Sequence, residues 1–254
     1  MVPTIRYVVQ PPLGIITLDR PDRRNALSTD MLTELTHALQ SASADSRCRA
    51  VLVRAKGPAF CAGMDLDTLR RMTDQPYEAN LEDSRRMATL LDLVWTLPKP
   101  IVAAVQGAAL GGGCGLATVC DVTVAAPEAT LGFPEVKIGF VPAIVSVFLT
   151  RLVGHARARD LLVTGRSLDA AEAHRIGLVN RVAPAGELDA HAHELAARLG
   201  AGSLQAMAAT KRLLSAIPRD ELARAIVANA EARSTSDCRE GVRAFLDKRQ
   251  PVWS

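Results

Sequence analysis

Residues 101–117 read IVAAVQGAALGGGCGLA, an apolar run followed by a glycine-rich turn. The run Ile101–Val105 is short, rich in β-branched residues and free of charge, which is typical of a strand buried on both faces. Three consecutive glycines cost conformational entropy, so they indicate a place where the backbone passes close to another group or adopts a positive φ. A helix that begins near Gly113 would point free N–H groups outward. The stretch therefore predicts a strand–turn–helix unit that can stabilise negative charge.

Strands and helices alternate on both sides of this unit. Before Pro142, strands are predicted at 5–10, 14–18, 50–55 and 122–125, and helices at 28–44 and 82–97. This alternation indicates an α/β domain with much parallel pairing. After Pro142 the pattern is almost entirely helical, with segments predicted at 143–153, 156–164, 170–176, 187–199, 203–217, 219–233 and 237–248. We predict an α/β core over residues 1–200 and a helical C-terminal segment over residues 201–254, which needs a surface to pack on.

Length and composition exclude several classes of protein. The 254 residues are 48% apolar and 22% charged, as in an ordinary globular protein, and no apolar run reaches the roughly 18 residues of a membrane span. A net charge of +3 is too small to predict a nucleic-acid partner. The five cysteines are odd in number and lack CxxC spacing, so neither a disulfide framework nor a zinc ribbon is expected. The first residues have no signal-peptide core, which makes a cytoplasmic location the expectation.

A single carboxylate stands in an apolar loop further along the chain. Residues 131–143 read LGFPEVKIGFVPA and place Glu135 among proline, glycine and apolar residues. Its apolar neighbours are Phe133, Val136, Ile138 and Phe140. Such a wall would remove water from the carboxyl group and raise its pKa, which suits general acid–base catalysis. The patterns of a P-loop, a dinucleotide-binding loop and a serine nucleophile elbow do not occur in the sequence.

Four segments stand in a characteristic order: RPDRRNAL at 20–27, FCAGMDL at 60–66, GAALGGGCGLATVCDVTVA at 107–125 and TLGFPEVKIGFVPA at 130–143. Together they resemble the crotonase (enoyl-CoA hydratase/isomerase) family, and the resemblance runs from about residue 15 to residue 248. It implies an α/β fold built as a spiral of ββα units. It also implies that the helical C-terminal segment assembles the chain into a homo-trimer or a dimer of trimers.

The resemblance further implies the residues of an acyl-CoA site. The backbone N–H groups of Met64 and Gly112 would form an oxyanion hole for the thioester oxygen, with Glu135 as the catalytic carboxylate. The positions where the family contacts coenzyme A are Arg24, Ala26, Ala62, Asp65 and Leu66. Phe245 and Lys248 match a C-terminal pair that meets the coenzyme A of a neighbouring subunit. No metal and no separate cofactor are expected, because coenzyme A is part of the substrate.

One departure from the family pattern bears on the reaction. Two-carboxylate hydratases of the family carry one Glu just after the GGGC segment, where this chain has Gly115, and another at the position of Glu135. We predict hydration of a 2-enoyl-CoA by Glu135 alone, with Gly115 leaving space beside the thioester. The alternatives are Δ3–Δ2 enoyl-CoA isomerisation, which needs only one carboxylate, and decarboxylation or thioester hydrolysis on the same scaffold.

A non-catalytic member of the family, binding RNA or a protein partner, is the alternative from a different class. Sparse aromatic residues, including only Trp95 and Trp253 as tryptophans, speak against RNA. An intact oxyanion-hole pair together with Glu135 speaks against a loss of catalysis. His191 and His193 are two positions apart on a predicted helix, so their side chains diverge and do not predict a metal pair.

Overall fold

Two β-sheets form the centre of the computed structural model, which describes residues 3–253. The strands are β1 Ile5–Gln10, β2 Leu13–Leu18, β3 Ala50–Ala55, β4 Ile101–Val105, β5 Ala108–Leu110, β6 Val122–Ala125, β7 Thr130–Gly132, β8 Ser167–Asp169 and β9 Arg181–Val182. The larger sheet has the order β1-β2-β3-β4-β6-β9, and the smaller has the order β5-β7-β8. The β1–β2 and β7–β8 pairs are antiparallel, and the other pairs are parallel.

Helices surround the sheets. They are α1 Thr29–Ala44, α2 Leu66–Met72, α3 Tyr77–Thr96, α4 Gly112–Thr118, α5 Ala143–Thr164, α6 Ala170–Arg175, α7 Leu188–Ala201, α8 Leu204–Leu214, α9 Arg219–Ala232 and α10 Ser236–Leu246. Two short 3-10 helices lie at Pro21–Arg23 and Pro134–Ile138. Helix α1 begins at the predicted cap, because the Ser28 hydroxyl accepts a hydrogen bond from the Met31 N–H at 3.2 Å. Gly154, with φ +77°, interrupts α5.

Both faces of the large sheet are buried, as expected for parallel strands. On one face Ile16, Val51 and Val53 belong to the main apolar core, which includes residues of α1 and α3. On the other face Leu52 and Val102 pack in a second cluster with residues of α7. Alternate residues of each strand therefore meet different helices, which explains why β3 and β4 are apolar almost throughout.

Most predicted elements are confirmed, although the short strands β5 and β7 were not predicted. Helix α3 begins at Tyr77 rather than near residue 82, and α2 was not predicted. The region after Pro142 is not almost entirely helical, because β8 pairs with β7 and β9 pairs with β6. These strands have three and two residues, which is too short to show a period in the sequence. The helices predicted at 143–153 and 156–164 are the two halves of α5.

The C-terminal helices pack on the rest of the same chain. Helix α9 lies against α3 and α5, and α10 lies against the 3-10 helix at Pro134–Ile138. The Trp95 Nε1–H donates to the Ser215 carbonyl at 3.1 Å, and the Ser215 hydroxyl donates to the Trp95 carbonyl at 3.0 Å. The domain boundary at residue 200 and the assembly into trimers stay predictions. Over residues 3–253, no helix combines the length and apolar character needed to cross a membrane.

Candidate active site

A cavity of about 460 Å³ lies where the glycine-rich turn at residues 107–113 (the glycine turn), the 3-10 helix at Pro134–Ile138 and the C-terminal helices meet. Its walls come from parts of the segments 27–32, 62–69, 83–87, 110–112, 134–145, 229–233 and 241–251. Most lining side chains are apolar, with a few polar groups among them, as in pockets for small molecules. The cavity therefore brings together all three predicted catalytic positions: Met64, Gly112 and Glu135.

The glycine turn packs directly against the segment at 60–64. The Cys61 N–H donates to the Ala108 carbonyl at 3.0 Å, and the Leu110 N–H donates to the Cys61 carbonyl at 3.0 Å. A Cβ atom built at Gly113 would lie 2.5 Å from the Cys61 carbonyl oxygen. Gly111 has φ +52°, where side chains are disfavoured. The prediction that this turn needs close backbone approach and a positive φ is confirmed.

The backbone N–H groups of Met64 and Gly112, both on the cavity wall, have no protein acceptor within residues 3–253. The backbone on either side of Met64 is fixed, because the Leu27 N–H donates to the Gly63 carbonyl at 2.7 Å and the Asp65 N–H donates to the Leu27 carbonyl at 3.0 Å. Gly112 is the first residue of α4, so its N–H has no carbonyl four residues earlier to bind. Both donors are positioned in advance and available to a bound oxygen.

Glu135 lies on the 3-10 helix at Pro134–Ile138, beside the glycine turn. A Cβ atom built at Gly111 would lie 3.1 Å from Glu135 Oε1, and Glu135 Oε2 is buried without a hydrogen-bond partner within residues 3–253. Burial raises the pKa of Glu135 from 4.5 to about 7. This side chain is therefore suited to accept and return a proton near neutral pH.

The apolar wall around Glu135 differs in part from the prediction. Ile138 and Phe140 line the cavity with it, and Phe133 is buried at the start of the 3-10 helix. Val136 instead faces α5, where a Cβ atom built at Gly165 would lie 2.9 Å from Val136 Cγ2. Two of the four residues thus line the cavity beside the carboxyl group, and Val136 does not.

A close contact with α10 holds the 3-10 helix of Glu135 in place. A Cβ atom built at Gly241 would collide with the backbone of Ile138, and one at Gly139 would collide with the backbone of Asp237. The Gly139 N–H also donates back to the Val136 carbonyl at 3.2 Å. Two glycines therefore let α10 support the catalytic segment closely, a feature that the sequence analysis did not recognise.

Gly115 does not leave space beside the site, contrary to the prediction. A Cβ atom built there would lie 2.7 Å from Val145 Cγ1 and 3.5 Å from Leu91 Cδ1. Gly115 is buried within α4 and is not part of the cavity wall, whereas Val145 is. The place of a second acid is thus occupied by an apolar side chain, because the start of α5 packs directly onto α4.

The predicted coenzyme A residues lie in different environments. Ala62 and Phe245 line the cavity. Phe245 lines the cavity of its own chain, whereas the resemblance implied a neighbouring subunit. The others lie outside the wall: Arg24, Ala26, Asp65, Leu66 and Lys248. Asp65 is buried, caps α2 through the Asp67 N–H at 2.9 Å and pairs with Arg20 at 3.1 Å, so its carboxylate is already engaged. The coenzyme A roles stay predictions.

The sequence analysis missed a group of polar residues on the cavity wall: Asp83, Asn229 and Arg233. They lie where α3 crosses α9, and the buried Ser84 hydroxyl donates to Asn229 Oδ1 at 2.9 Å. A signal was present, because Asn80 and Ser84 are four residues apart on α3, as are Asn229 and Arg233 at the end of α9. Polar pairs at this spacing share one helix face, and two such faces can meet.

The mostly parallel sheets, the glycine turn with its free N–H groups and the buried carboxylate define a protein of the crotonase fold. The chain belongs to the enoyl-CoA hydratase/isomerase family, since the sequence profile described by that name matches residues 10–254. The family, expected from the four sequence segments, is confirmed.

Relatives and solved structures agree with this assignment. A Thermus thermophilus protein provisionally named an enoyl-CoA hydratase is 46% identical over 243 residues, covering 94% of this chain and 96% of the relative. The crystal structure of an enoyl-CoA hydratase from Mycobacterium avium is 33% identical, covers 100% of both chains and has a TM-score of 0.87. An enoyl-CoA hydratase/isomerase from Xanthobacter autotrophicus is 33% identical over 97% of both chains, with a TM-score of 0.87.

Proposed function

We propose that this protein hydrates the 2,3 double bond of a 2-enoyl-CoA thioester. The proposal rests on the observation that Met64, Gly112 and Glu135 line one cavity. The N–H groups of Met64 and Gly112 and the Oε2 atom of Glu135 have no protein partner within residues 3–253. The names of the relatives support the same reaction class, and the thioester oxygen is the acceptor that an oxyanion hole would bind.

In the proposed reaction, the N–H groups of Met64 and Gly112 donate to the thioester oxygen and polarise the conjugated double bond. Glu135 takes a proton from water as the water oxygen forms a bond to the β-carbon. The electrons of the double bond move to the thioester oxygen, giving an enolate that the two N–H groups stabilise. Protonated Glu135 then returns its proton to the α-carbon, which yields the 3-hydroxyacyl-CoA and regenerates the carboxylate.

A single carboxylate can serve both steps because its pKa lies near neutrality. A base with a pKa of about 7 is substantially ionised at neutral pH and is still a strong enough acid, once protonated, to return the proton. The other carboxylate on the cavity wall, Asp83, is already engaged by Gln75 at 3.1 Å and by Arg86 at 3.0 Å. Since the first step needs ionised Glu135, kcat/KM is expected to increase as the pH rises through about 7.

Δ3–Δ2 enoyl-CoA isomerisation is the second candidate, and Val145 favours it. Because Val145 fills the space beside Gly115, no second acid lies there, and proton shuttling between the α- and γ-carbons needs only one carboxylate. The same oxyanion hole would stabilise the dienolate formed on the way. In that case Glu135 removes a proton from the α-carbon of a 3-enoyl-CoA and returns it to the γ-carbon.

The two candidates are separated by the products from two substrates. The protein is incubated with crotonyl-CoA and with 3-hexenoyl-CoA, and the thioesters are identified by mass spectrometry. The proposal predicts rapid conversion of crotonyl-CoA to a 3-hydroxyacyl-CoA. Fast formation of 2-hexenoyl-CoA from the 3-enoyl substrate, with crotonyl-CoA left unchanged, would replace the hydratase proposal with the isomerase.

A further inference from the structure

A buried cation on the cavity wall has no role in the proposed hydration. Arg233 follows α9, is 3% exposed and lines the same cavity as Glu135. Its guanidinium carbon lies 5.6 Å from the centre of the Phe140 ring. Burial lowers the pKa of Arg233, which shows that water stabilises its charge only weakly at this place. Such a group needs close acceptors.

Within residues 3–253, the acceptors nearest to the Arg233 guanidinium are distant. Its Nη2 lies 3.3 Å from Asn229 Oδ1, and its Nη1 lies 3.5 Å from Asn80 Oδ1 and 3.6 Å from Asp83 Oδ2. The buried Nε–H has no hydrogen-bond partner within residues 3–253. Charged N–H···O bonds are ordinarily about 2.7–2.9 Å long. The hydrogen bonding of the Arg233 guanidinium is therefore incomplete.

A more exposed arginine near the other end of α9 has the complete pair of hydrogen bonds to a carboxylate that Arg233 lacks. Arg151 binds both oxygens of Glu221, at 2.9 and 2.8 Å. Asp83 gives Arg233 no comparable pair, because its Oδ1 accepts from Arg86 at 3.0 Å and its Oδ2 accepts from Gln75 at 3.1 Å. The charge of Asp83 is thus shared with other donors, and the guanidinium on the cavity wall keeps capacity for another anion.

We propose that Arg233 binds a carboxylate at the far end of the acyl chain, so that the preferred substrates are 2-enoyl-CoA thioesters with a terminal carboxylate. This inference rests on the proposed hydration. A carboxylate can satisfy the planar guanidinium with two parallel hydrogen bonds, whereas a terminal methyl group would leave the Nε–H without an acceptor. The thioester would lie at Met64 and Gly112, and the acyl chain would extend through the apolar part of the cavity toward α9.

The first test uses the wild-type protein and pairs of 2-enoyl-CoAs. The two members of each pair have the same number of carbons and end in either a methyl group or a carboxylate, and chain length increases from pair to pair. At the best-fitting length, kcat/KM for the carboxylate substrate should exceed that for the methyl substrate at least about tenfold. If methyl substrates are hydrated equally well or better at every length, the inference is wrong and the proposed hydration stands. If neither class is hydrated, the proposed function itself fails.

The second test assigns the preference to Arg233. Arg233→Met keeps an unbranched side chain without charge, and it should lower the ratio of carboxylate to methyl kcat/KM about tenfold or more. Arg151→Met is the matched control, since it also removes an arginine that contacts α9 but lies outside the cavity wall. It should leave the ratio unchanged. Equal losses for both substrate classes in Arg233→Met would show a structural role only and contradict the inference.

A conservative variant keeps this test decisive if Arg233→Met does not fold. Arg233→Lys retains the charge but cannot form two parallel hydrogen bonds. It should lower the ratio severalfold while circular dichroism shows a folded protein. A ratio equal to that of the wild type in Arg233→Lys would overturn the role assigned to the guanidinium.

Discussion

Glu135 and Asp121 are both carboxylates whose pKa is raised by burial, yet their surroundings are opposite. Asp121 Oδ2 accepts from the Lys211 ammonium at 2.6 Å and from the Ile101 N–H at 2.8 Å. Glu135 lines the cavity, and its Oε2 has no partner within residues 3–253. Asp121 therefore joins α8 to β4, whereas Glu135 is available for chemistry.

The buried cations of the two regions differ in the same way. Lys99 donates to the carbonyls of Ala42 and Asp45, both at 2.7 Å, so its charge is well satisfied away from the cavity. The contacts of Arg233 with Asn80, Asp83 and Asn229 are all 3.3 Å or longer. The contrast shows that burial alone does not identify a functional charge. What distinguishes the cavity is that the buried charges of Glu135 and Arg233 lack close partners.

The largest expected effect is the loss of activity in Glu135→Gln. The amide has nearly the same shape but cannot accept a proton, so kcat should decrease at least about 10²-fold. Circular dichroism should show an unchanged fold. Asp121→Asn is the control from the other region, and its kcat should stay within about threefold of the wild type. A Glu135→Gln variant that keeps a tenth of the wild-type rate would remove Glu135 from the proposed role.

For the free energy of unfolding, the order of the two variants should be reversed, with the larger loss in Asp121→Asn. Asp121→Asn leaves the Lys211 ammonium without its charged partner, and it should lower the free energy of unfolding by about 2–3 kcal/mol. The loss is smaller than for a fully buried pair, because the Asp121 side chain is partly exposed. Urea denaturation at pH 7 measures it. A change below about 0.5 kcal/mol would mean that this ion pair does not stabilise the fold.

Glu135→Gln should stabilise the protein at high pH. Because folding raises the pKa of Glu135 from 4.5 to about 7, the folded state binds this proton more tightly than the unfolded state. Its contribution to stability is complete below the unfolded pKa and is lost as the pH rises through the folded pKa. At pH 8 the variant should therefore be more stable than the wild type by about 3 kcal/mol, with almost no difference near pH 4. Equal urea midpoints at pH 8 would contradict the shifted pKa.

The smallest effect concerns the contact between α4 and α5. Gly115→Ala would bring a Cβ atom 2.7 Å from Val145 Cγ1, so overpacking should cost about 1–2 kcal/mol. Gly115→Ala should cost less in a Val145→Ala background than in the wild type, and thermal denaturation of both single variants and the double variant measures this coupling. If Gly115→Ala costs as much in the Val145→Ala background as in the wild type, Val145 is not the obstacle at this position.

The elements predicted well from sequence are those with a clear local period or cap. Strand β4 is a continuous apolar run, β3 is apolar except for Arg54, and Ser28 marks the start of α1. Strands β8 and β9 could not be predicted, because they exist only through pairing with β7 and β6. Their few residues carry no pattern of their own.

The site was predictable where the backbone or a distinctive loop carries the chemistry. The glycine turn, Met64 and Glu135 could be placed from the segments that resemble the family. Arg233 was missed, because its four-residue spacing from Asn229 also occurs on ordinary exposed helices, and only the crossing of α3 and α9 buries it. The predicted open space beside Gly115 was also wrong, because Val145 is distant in sequence and contacts Gly115 only in the folded chain.

The central claim is that water activated by Glu135 adds to the β-carbon of a thioester held by Met64 and Gly112. It is tested most directly by incubating the wild-type protein with a 2-enoyl-CoA in heavy-oxygen water and locating the label by mass spectrometry, with Glu135→Gln as the control. The account predicts rapid formation of a 3-hydroxyacyl-CoA that carries the label on its β-carbon, and at least about a 10²-fold slower rate in the variant. Migration of the double bond without uptake of label, across chain lengths and both terminal groups, would contradict it.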